Sequence, residues 1–467
     1  MGETTGGDGS YGGLARLLGQ DGLAPCVDGS QRPYVDLDAA ASTGALVEVA
    51  AAVNELLPGY ASVHRGAGWR SRASTTAYEQ ARQALLRFAG KQDRDDVAVI
   101  CRNTTEAINH LAFRLGLDPD DVVVTTVVEH HANLLPWRRY AKLRYVECSP
   151  DGTFEPEAVA AALHESPRPK LLAVTGASNV SGWLPPVDTL VEVAHEAGVA
   201  VLVDAAQLAP HRPLPATADY LAWSGHKMYA PFGSGALVGP RATFAAGDPF
   251  LAGGGAVDMV SLDEVWWNAP PEREEAGSPN VVGAVAFGAA TGALERIGWP
   301  AIRAHDDRLA DHLRRGLASI PGVRVLGPGP GEPTLPVASF VVDGVHHALV
   351  AARLAAEWGI GVRHGCFCAH PYLLRLLRMT SAETAAYRDG VRRGDHVHLP
   401  GATRASASIA TGEAEIDRLL DAVRRIATGE PAPVLYQQDP ATGDFHPSGG
   451  DPAWSASTVV GSGCAAG

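Results

Sequence analysis

Short β-branched runs alternate with helical patterns over residues 36–303, and this rhythm restricts the chain more than any other feature. The runs occupy 97–101, 122–128, 171–175, 199–204 and 220–223, with 233–239 as one further strand. Between them lie stretches such as 155–164 and 187–197, whose apolar residues recur at helical spacing. That pattern predicts β/α crossovers on a largely parallel sheet covered on both faces. A helix-rich join over 281–319 leads to a second, α+β pattern from Val323. Its strands are expected at 338–342 and 360–362, and a helix over 413–428 closes it. The division read from this is an N-terminal segment 1–33, a large domain 34–295, a small domain 296–430 and a tail or extended arm 431–467. Residues 1–13 are rich in Gly, Ser and Thr and are expected to be mobile.

A chain of 467 residues is long enough for two cores. Its net charge of −14 argues against nucleic acid or an anionic membrane as the main partner. No apolar run reaches the roughly 20 residues that span a bilayer. The first residues lack the basic start and apolar core of a secretory signal. The six cysteines, Cys26, Cys101, Cys148, Cys366, Cys368 and Cys464, are too scattered for a disulfide scaffold, so a cytoplasmic location is expected.

In an open parallel sheet, ligands bind beyond the carboxyl ends of the strands. The residues that follow each strand therefore carry information. After 97–101 comes Arg102-Asn-Thr-Thr-Glu106, with Thr104 and Thr105 where a helix begins. Such an N-terminus offers N–H groups and hydroxyls to a phosphate, and equally reads as a plain N-cap. After 122–128 comes Glu129-His130-His131. A histidine here can lie against a heteroaromatic ring or transfer protons, or serve as a metal ligand, although no third ligand is obvious. After 199–203 comes Asp204-Ala-Ala-Gln207. A carboxylate there caps the next helix or pairs with a cation such as a protonated pyridine nitrogen.

After 220–223 comes Ser224-Gly-His226-Lys227. The chain has only four lysines, Lys91, Lys142, Lys170 and Lys227, against 34 arginines. In that background a lysine between His226 and a glycine-rich turn suggests work that arginine cannot do. An amine can lose its proton and form a Schiff base; a guanidinium cannot. Threonines, a histidine, an aspartate and a lysine thus converge on one sheet edge. A ring, its phosphate, its pyridinium nitrogen and its aldehyde would each have a partner, which suits pyridoxal phosphate (PLP). No GxGxxG follows the first strand, so a dinucleotide site is not indicated. In the second half, Arg363-His-Gly-Cys366-Phe-Cys368 sets two cysteines one residue apart on a glycine-containing loop. The pair reads as half a metal site, as buried inert thiols or as a nucleophile, and no other cysteine has matching spacing for zinc. Arg404 offers a fork to a carboxylate.

At this point the chain resembles the group II cysteine desulfurases and selenocysteine lyases of the class V aminotransferase family, in order from about Tyr34 to Ala427. The landmarks are Tyr34-Val-Asp-Leu-Asp-Ala-Ala-Ala41, His64-Arg-Gly66, Arg102-Asn-Thr-Thr-Glu106, Glu129-His-His-Ala-Asn133, Ser178-Asn-Val180, Asp204-Ala-Ala-Gln207, Ser224-Gly-His-Lys227, Gly253-Gly-Gly255, Glu275-Ala-Gly-Ser-Pro-Asn280 and Arg404-Ala-Ser406. The resemblance implies an α/β PLP-dependent transferase of fold type I, with a mostly parallel seven-stranded sheet and a smaller α+β C-terminal domain. It implies a homodimer, an amino-acid substrate and a sulfur-acceptor protein as partner. Lys227 would bind the cofactor's aldehyde, His130 would stack on the ring, Asp204 would pair with the ring nitrogen and Gln207 would reach the ring oxygen. Thr104 and Thr105, Ser224 and His226 would surround the phosphate, and Ser278 would reach it across the dimer interface. Asn179 and Arg404 would grip the substrate carboxylate, with Arg363 nearby. Cys368 falls at the position of the persulfide cysteine.

The reaction so implied takes L-cysteine to L-alanine, with sulfur held on Cys368. The alternatives are a PLP-dependent C–S lyase or another class V reaction on cysteine or an S-conjugate, and an idle sulfur-relay scaffold. Several features depart from the family, among them Ala410-Thr-Gly412 where it usually has Tyr-Asn-Thr after the arginine and a tail ending in Gly461-Ser-Gly-Cys464. Cys368 and Arg404 lie 36 positions apart (404 − 368), with an inserted segment over 373–400 that is expected to roof the entrance. Cys366 stands beside the expected nucleophile.

Overall fold

The computed structural model describes residues 12–450. Residues 1–11 and 451–467, Cys464 among them, lie outside that range. The large sheet contains β1 (Asp96–Cys101), β2 (Val122–Thr126), β3 (Lys142–Val146), β4 (Leu171–Thr175), β5 (Ala200–Asp204), β6 (Tyr220–Ser224) and β7 (Gly235–Pro240). Their order across its seven strands is β1-β7-β6-β5-β4-β2-β3. Strand β7 pairs antiparallel with both β1 and β6, and the remaining ladders are parallel. The expected mostly parallel seven-stranded sheet is thus formed.

The continuous apolar runs have a simple cause. Successive side chains of a strand point to opposite faces, and both faces are covered. Leu172, Val174, Val201, Val203, Leu221 and Trp223 enter one core, whereas Leu171, Ala173, Leu202, Tyr220 and Ala222 enter another. The edge strand β3 escaped sequence reading because its Lys142-Leu-Arg-Tyr-Val146 carries two cations; only Val146 is buried. The helix α1 (Trp69–Phe88) packs on α3 (Val281–Ile297), and α2 (Thr104–Arg114) leaves the end of β1.

Helix α4 (Trp299–Ala318) carries the chain to a second, antiparallel sheet. Its strands are β8 (Val323–Leu326), β9 (Val337–Val342), β10 (Arg363–Gly365) and β11 (Ala402–Ser406), in the order β8-β9-β11-β10. Its core takes Leu309, Leu313 and Leu317 at four-residue spacing from α4. Further members come from α5 (His347–Trp358) and α8 (Glu413–Ala427). Val35 and Leu37 from the N-terminal side join it, and Val35–Asp36 pairs in parallel with Ile360–Gly361. This pairing places Asp38 beside β11, where it bridges to Ser406.

The segment over 373–400 forms the end of α6 (His370–Leu376) and then α7 (Ser381–Arg392), started by a Thr380–Glu383 capping box. Within the segment read as a tail or arm, Tyr436–Gln438 and Phe445–Pro447 make a hairpin against the small domain. Tyr436 donates to Glu357 Oε1 at 3.2 Å, and Gln438 Nε2 to the Val397 carbonyl at 3.1 Å.

Candidate active site

A cavity of about 380 Å³ opens at the carboxyl ends of the parallel strands, between the large sheet and the small domain. Thr104, Thr105, His130, Asn179, Asp204, Gln207, Ser224, His226, Lys227, Arg363, Cys368 and Arg404 all line it. Ligand sites of open α/β sheets lie beyond the carboxyl ends of the parallel strands, and this cavity has that position.

Lys227 follows β6 on a one-turn 3₁₀ segment, and among the described residues its amine has no hydrogen-bond partner. Burial pushes its pKa down to about 8, against the pull of Asp204. Asp204, at the end of β5, is buried, and burial raises its pKa; the Lys227 charge acts the other way. Its hydrogen bond in the protein is to the Ala206 N–H, at 3.0 Å. A carboxylate so enclosed needs a cation. His130 Nδ1 accepts from the Ala132 N–H at 3.0 Å, so its proton sits on Nε2. Burial, with Lys227 second, lowers its pKa to about 3, leaving a neutral ring. His226 is lowered to about 4 by the same two causes in the same order.

The residues expected around a phosphate share the cavity wall, and two of them are tied to each other. Asn103 is the N-cap of α2, accepting from the Glu106 N–H at 3.0 Å. Thr104 turns inward. Its N–H donates to Ser224 Oγ at 2.8 Å, and its hydroxyl lies 2.6 Å from the same oxygen. Thr104 and Ser224 therefore brace one another, while Thr105 and His226 line the cavity without such ties. Gln207 donates Nε2 to the Ala40 carbonyl at 2.6 Å. Ser278 does not line this cavity. It borders a second one, of about 620 Å³, with His64, Arg65 and Gly255.

The cysteine loop is held in an unusual shape. Phe367 and Cys368 both have φ of +54°, a left-handed conformation that costs non-glycine residues energy. Three bonds impose it. Asn179 Nδ2 donates to the Phe367 carbonyl at 2.8 Å, the His131 N–H to the Cys368 carbonyl at 2.8 Å, and the Ala369 N–H to the Cys366 carbonyl at 3.0 Å. Cys368 is exposed, whereas burial raises the Cys366 pKa. Arg404 is almost wholly buried. It donates to the Asn179 carbonyl at 2.9 Å and lies 5.0 Å over the Phe367 ring. Burial brings its pKa down to about 10.

Two expectations change here. The amide of Asn179 supports the cysteine loop in addition to facing the cavity. The 373–400 segment contributes nothing to the lining of the 380 Å³ cavity, so it does not roof that entrance. Sequence reasoning also gave no role to Asp38, which accepts from both Arg363 and Arg404. Its place in the Tyr34–Ala41 landmark was the available signal, but the partners lie more than 300 positions away.

The donor set fits PLP. A lone buried carboxylate, a neutral histidine ring, a low-pKa amine and the hydroxyl- and N–H-bearing start of α2 share one cavity. Fold and site together define the class, and the class-V aminotransferase family model matches residues 35–419; the chain belongs to this family. A cysteine desulfurase of Haloferax volcanii is 34% identical over 424 residues, covering 88% of this chain and 93% of that protein. A probable cysteine desulfurase of Streptomyces coelicolor is 33% identical over 415 residues, covering 85% and 93%. Among solved structures, the apo cysteine desulfurase of Thermococcus onnurineus NA1 superposes with a TM-score of 0.76 at 32% identity, over 85% of this chain and 95% of that one. An Escherichia coli cysteine desulfurase gives 0.71 at 31%, over 84% and 94%.

Proposed function

We propose that the protein is a PLP-dependent cysteine desulfurase that converts L-cysteine to L-alanine and holds the sulfur as a persulfide on Cys368. The observation that carries this reading is the presence of Lys227, Asp204, His130 and an exposed Cys368 around one cavity. The names of the relatives agree with it. Bound PLP would supply an electron sink for the electrons released at the substrate Cα.

The chain's own residues do the rest. With PLP bound, Asp204 would pair with the ring nitrogen, His130 would cover the ring, and Thr105, Ser224 and His226 would orient the phosphate. Arg404 takes the substrate carboxylate. The Lys227 amine moves the proton at Cα. The Cys368 thiolate attacks the substrate sulfur. A bond forms between the two sulfurs, the substrate Cβ–S bond breaks, and its electron pair passes to the carbon that is then protonated to alanine. Arg363, on the same cavity wall, is the cation beside that thiol.

The working unit in this proposal is a homodimer, with Ser278 serving the partner's phosphate. Met259, Val260, Leu262, Val265 and Trp266 are exposed on one hairpin next to that loop. Such a patch calls for burial against another surface. A cytoplasmic setting and a sulfur acceptor complete the proposal; the described cysteines are all free thiols.

The test is single-turnover product analysis with L-cysteine. Alanine should appear together with added sulfur on the peptide containing Cys366 and Cys368. Cys368→Ala should lose both while keeping the visible absorption of bound PLP. Pyruvate in place of alanine, or undiminished alanine from Cys368→Ala, would replace desulfuration with C–S lyase chemistry.

A further inference from the structure

Behind the cysteine loop lies another cavity, of about 290 Å³. Arg363, Phe367 and Cys368 line both it and the active-site cavity, so the loop is a shared wall. Its other walls come from four places in the chain. His346 and His347 start α5, His364 and Cys366 belong to β10 and the loop, Tyr387 through Pro400 belong to the inserted segment, and Thr442 to Asp444 form the tip of the C-terminal hairpin. The two segments that the main site leaves without a role therefore meet here.

This wall is built for a polar ligand. His364 Nε2 lies 3.3 Å from Asp444 Oδ1, an ion-pair contact that favours the proton on Nε2 and leaves Nδ1 as an acceptor. His347 Nε2 donates to the Leu399 carbonyl at 3.1 Å, which likewise leaves Nδ1 as an acceptor. His346 Nδ1 accepts from the Ala348 N–H at 3.2 Å, which leaves Nε2–H as a donor. All three remaining ring nitrogens are buried and have no protein partner. Buried polar atoms without a partner are uncommon and call for one. Burial lowers the pKa of each ring, that of His347 to about 4; the unpartnered Nδ1 atoms of His347 and His364 are acceptors, whereas His346 presents an N–H. Among the described residues no three His, Cys, Asp or Glu side chains are grouped as metal ligands.

We propose that this outer cavity binds a small polar thiol, which takes the sulfane sulfur from Cys368. The proposal rests on the desulfurase reading above. The volume decides the size class: it lies near the lower end of the ~300–1,000 Å³ of small-molecule sites, too small to admit a protein segment. His364, oriented by Asp444, takes the thiol proton. The thiolate attacks the outer sulfur of the Cys368 persulfide. A new S–S bond forms on the acceptor, the bond to Cys368 breaks, and its electron pair returns to Cys368 as thiolate. The acceptor leaves as a persulfide, and no oxidant or reductant is consumed. Entry from behind the loop leaves the cofactor side of the site undisturbed during transfer.

The experiment charges the holoenzyme with L-cysteine, removes excess substrate and adds N-acetylcysteine over a wide concentration range. Loss of sulfur from the Cys366–Cys368 peptide is followed by mass spectrometry. Persulfide formed in the first step is quantified separately, so only the second step is compared. The wild-type rate should saturate with N-acetylcysteine. Thr442→Trp, which fills the cavity from an exposed position, should become linear in thiol and at least ten-fold slower at low concentration. His364→Gln should still saturate, with its maximal rate about ten-fold lower. A linear dependence in the wild type, or transfer in Thr442→Trp equal to wild type, overturns the acceptor site while leaving the desulfurase reading intact. Absence of any persulfide on Cys368 overturns both.

Discussion

Asp38 Oδ1 accepts a hydrogen bond from Arg404 Nη2 at 3.1 Å, so the guanidinium proposed for the substrate carboxylate already holds a carboxylate of the chain itself. The other oxygen of Asp38 takes Arg363 Nη2 at 2.9 Å. Asp38 thus offsets part of the charge that would attract an anionic substrate. In Asp38→Asn the side-chain shape stays and the charge goes. A part-exposed charge interaction of this kind is worth about 1 kcal/mol, or about five-fold in binding. The KM for L-cysteine should fall by about that factor, with kcat changed less than two-fold. A rise in KM would show instead that Asp38 serves to orient Arg404.

Capture of PLP by the apoprotein needs the neutral Lys227 amine, and burial sets its pKa at about 8. A group held below its ordinary value is protonated, and therefore unreactive, below that value. The rate of appearance of the visible absorption of bound PLP should rise about ten-fold per pH unit below pH 8 and level off above it. The same shift has a sign for stability. Between about pH 8 and the ordinary lysine value the unfolded chain binds more protons at this site than the folded one. The Lys227 contribution to apoprotein stability therefore increases with pH across that window. Rapid-mixing spectra at several pH values check the first point. A rate independent of pH from 6.5 to 9 would contradict it.

Glu275 anchors the loop that carries Ser278. Arg82 meets it in a two-pronged pair at 2.6 and 2.9 Å, Tyr78 donates to it at 2.6 Å, and the Ile100 N–H donates at 2.7 Å. Both members of the pair are buried. Removing one partner leaves an uncompensated buried charge, which costs about 3–5 kcal/mol. Glu275→Ala should lower the urea midpoint sharply, and Glu275→Gln should do so by less. Midpoints equal to wild type would mean that water replaces the carboxylate.

The exposed Leu262 and Trp266 provide the test of the dimer. The double change Leu262→Asp with Trp266→Asp should yield a monomer in sedimentation velocity. PLP should then bind at least ten-fold more weakly, because the contribution proposed for Ser278 across the interface would be lost. A monomer with undiminished PLP affinity would remove Ser278 from the phosphate site.

Much of the architecture was legible because its causes are local. Strands β4, β5 and β6 announced themselves as apolar runs, since a strand buried on both faces cannot afford polar residues. The amphipathic helix α8 was equally plain. The strands β3, β10 and β11 were not read: β3 carries two cations, the three-residue β10 is too short for periodicity, and β11 interrupts its apolar residues with Thr403, Arg404 and Ser406. The residues around the main cavity were legible as types at strand ends, where a parallel sheet places its ligands.

The sequence by itself determined the buried strands of the large sheet, the order of chemical groups along its edge and the single suitable lysine. These follow from side-chain alternation and from what an amine, a carboxylate and an imidazole can do. Only the tertiary structure decided who holds whom. Thr104 braces Ser224, Asn179 clamps the Phe367 carbonyl, and Asp38 joins Arg363 to Arg404. The position of the 373–400 segment was decided there too, because it packs with the C-terminal hairpin behind Cys368 rather than over the main cavity. Each of these contacts joins residues more than a hundred positions apart, or segments whose polar composition leaves no pattern, and spacing along the chain cannot encode which distant groups folding brings within hydrogen-bond reach.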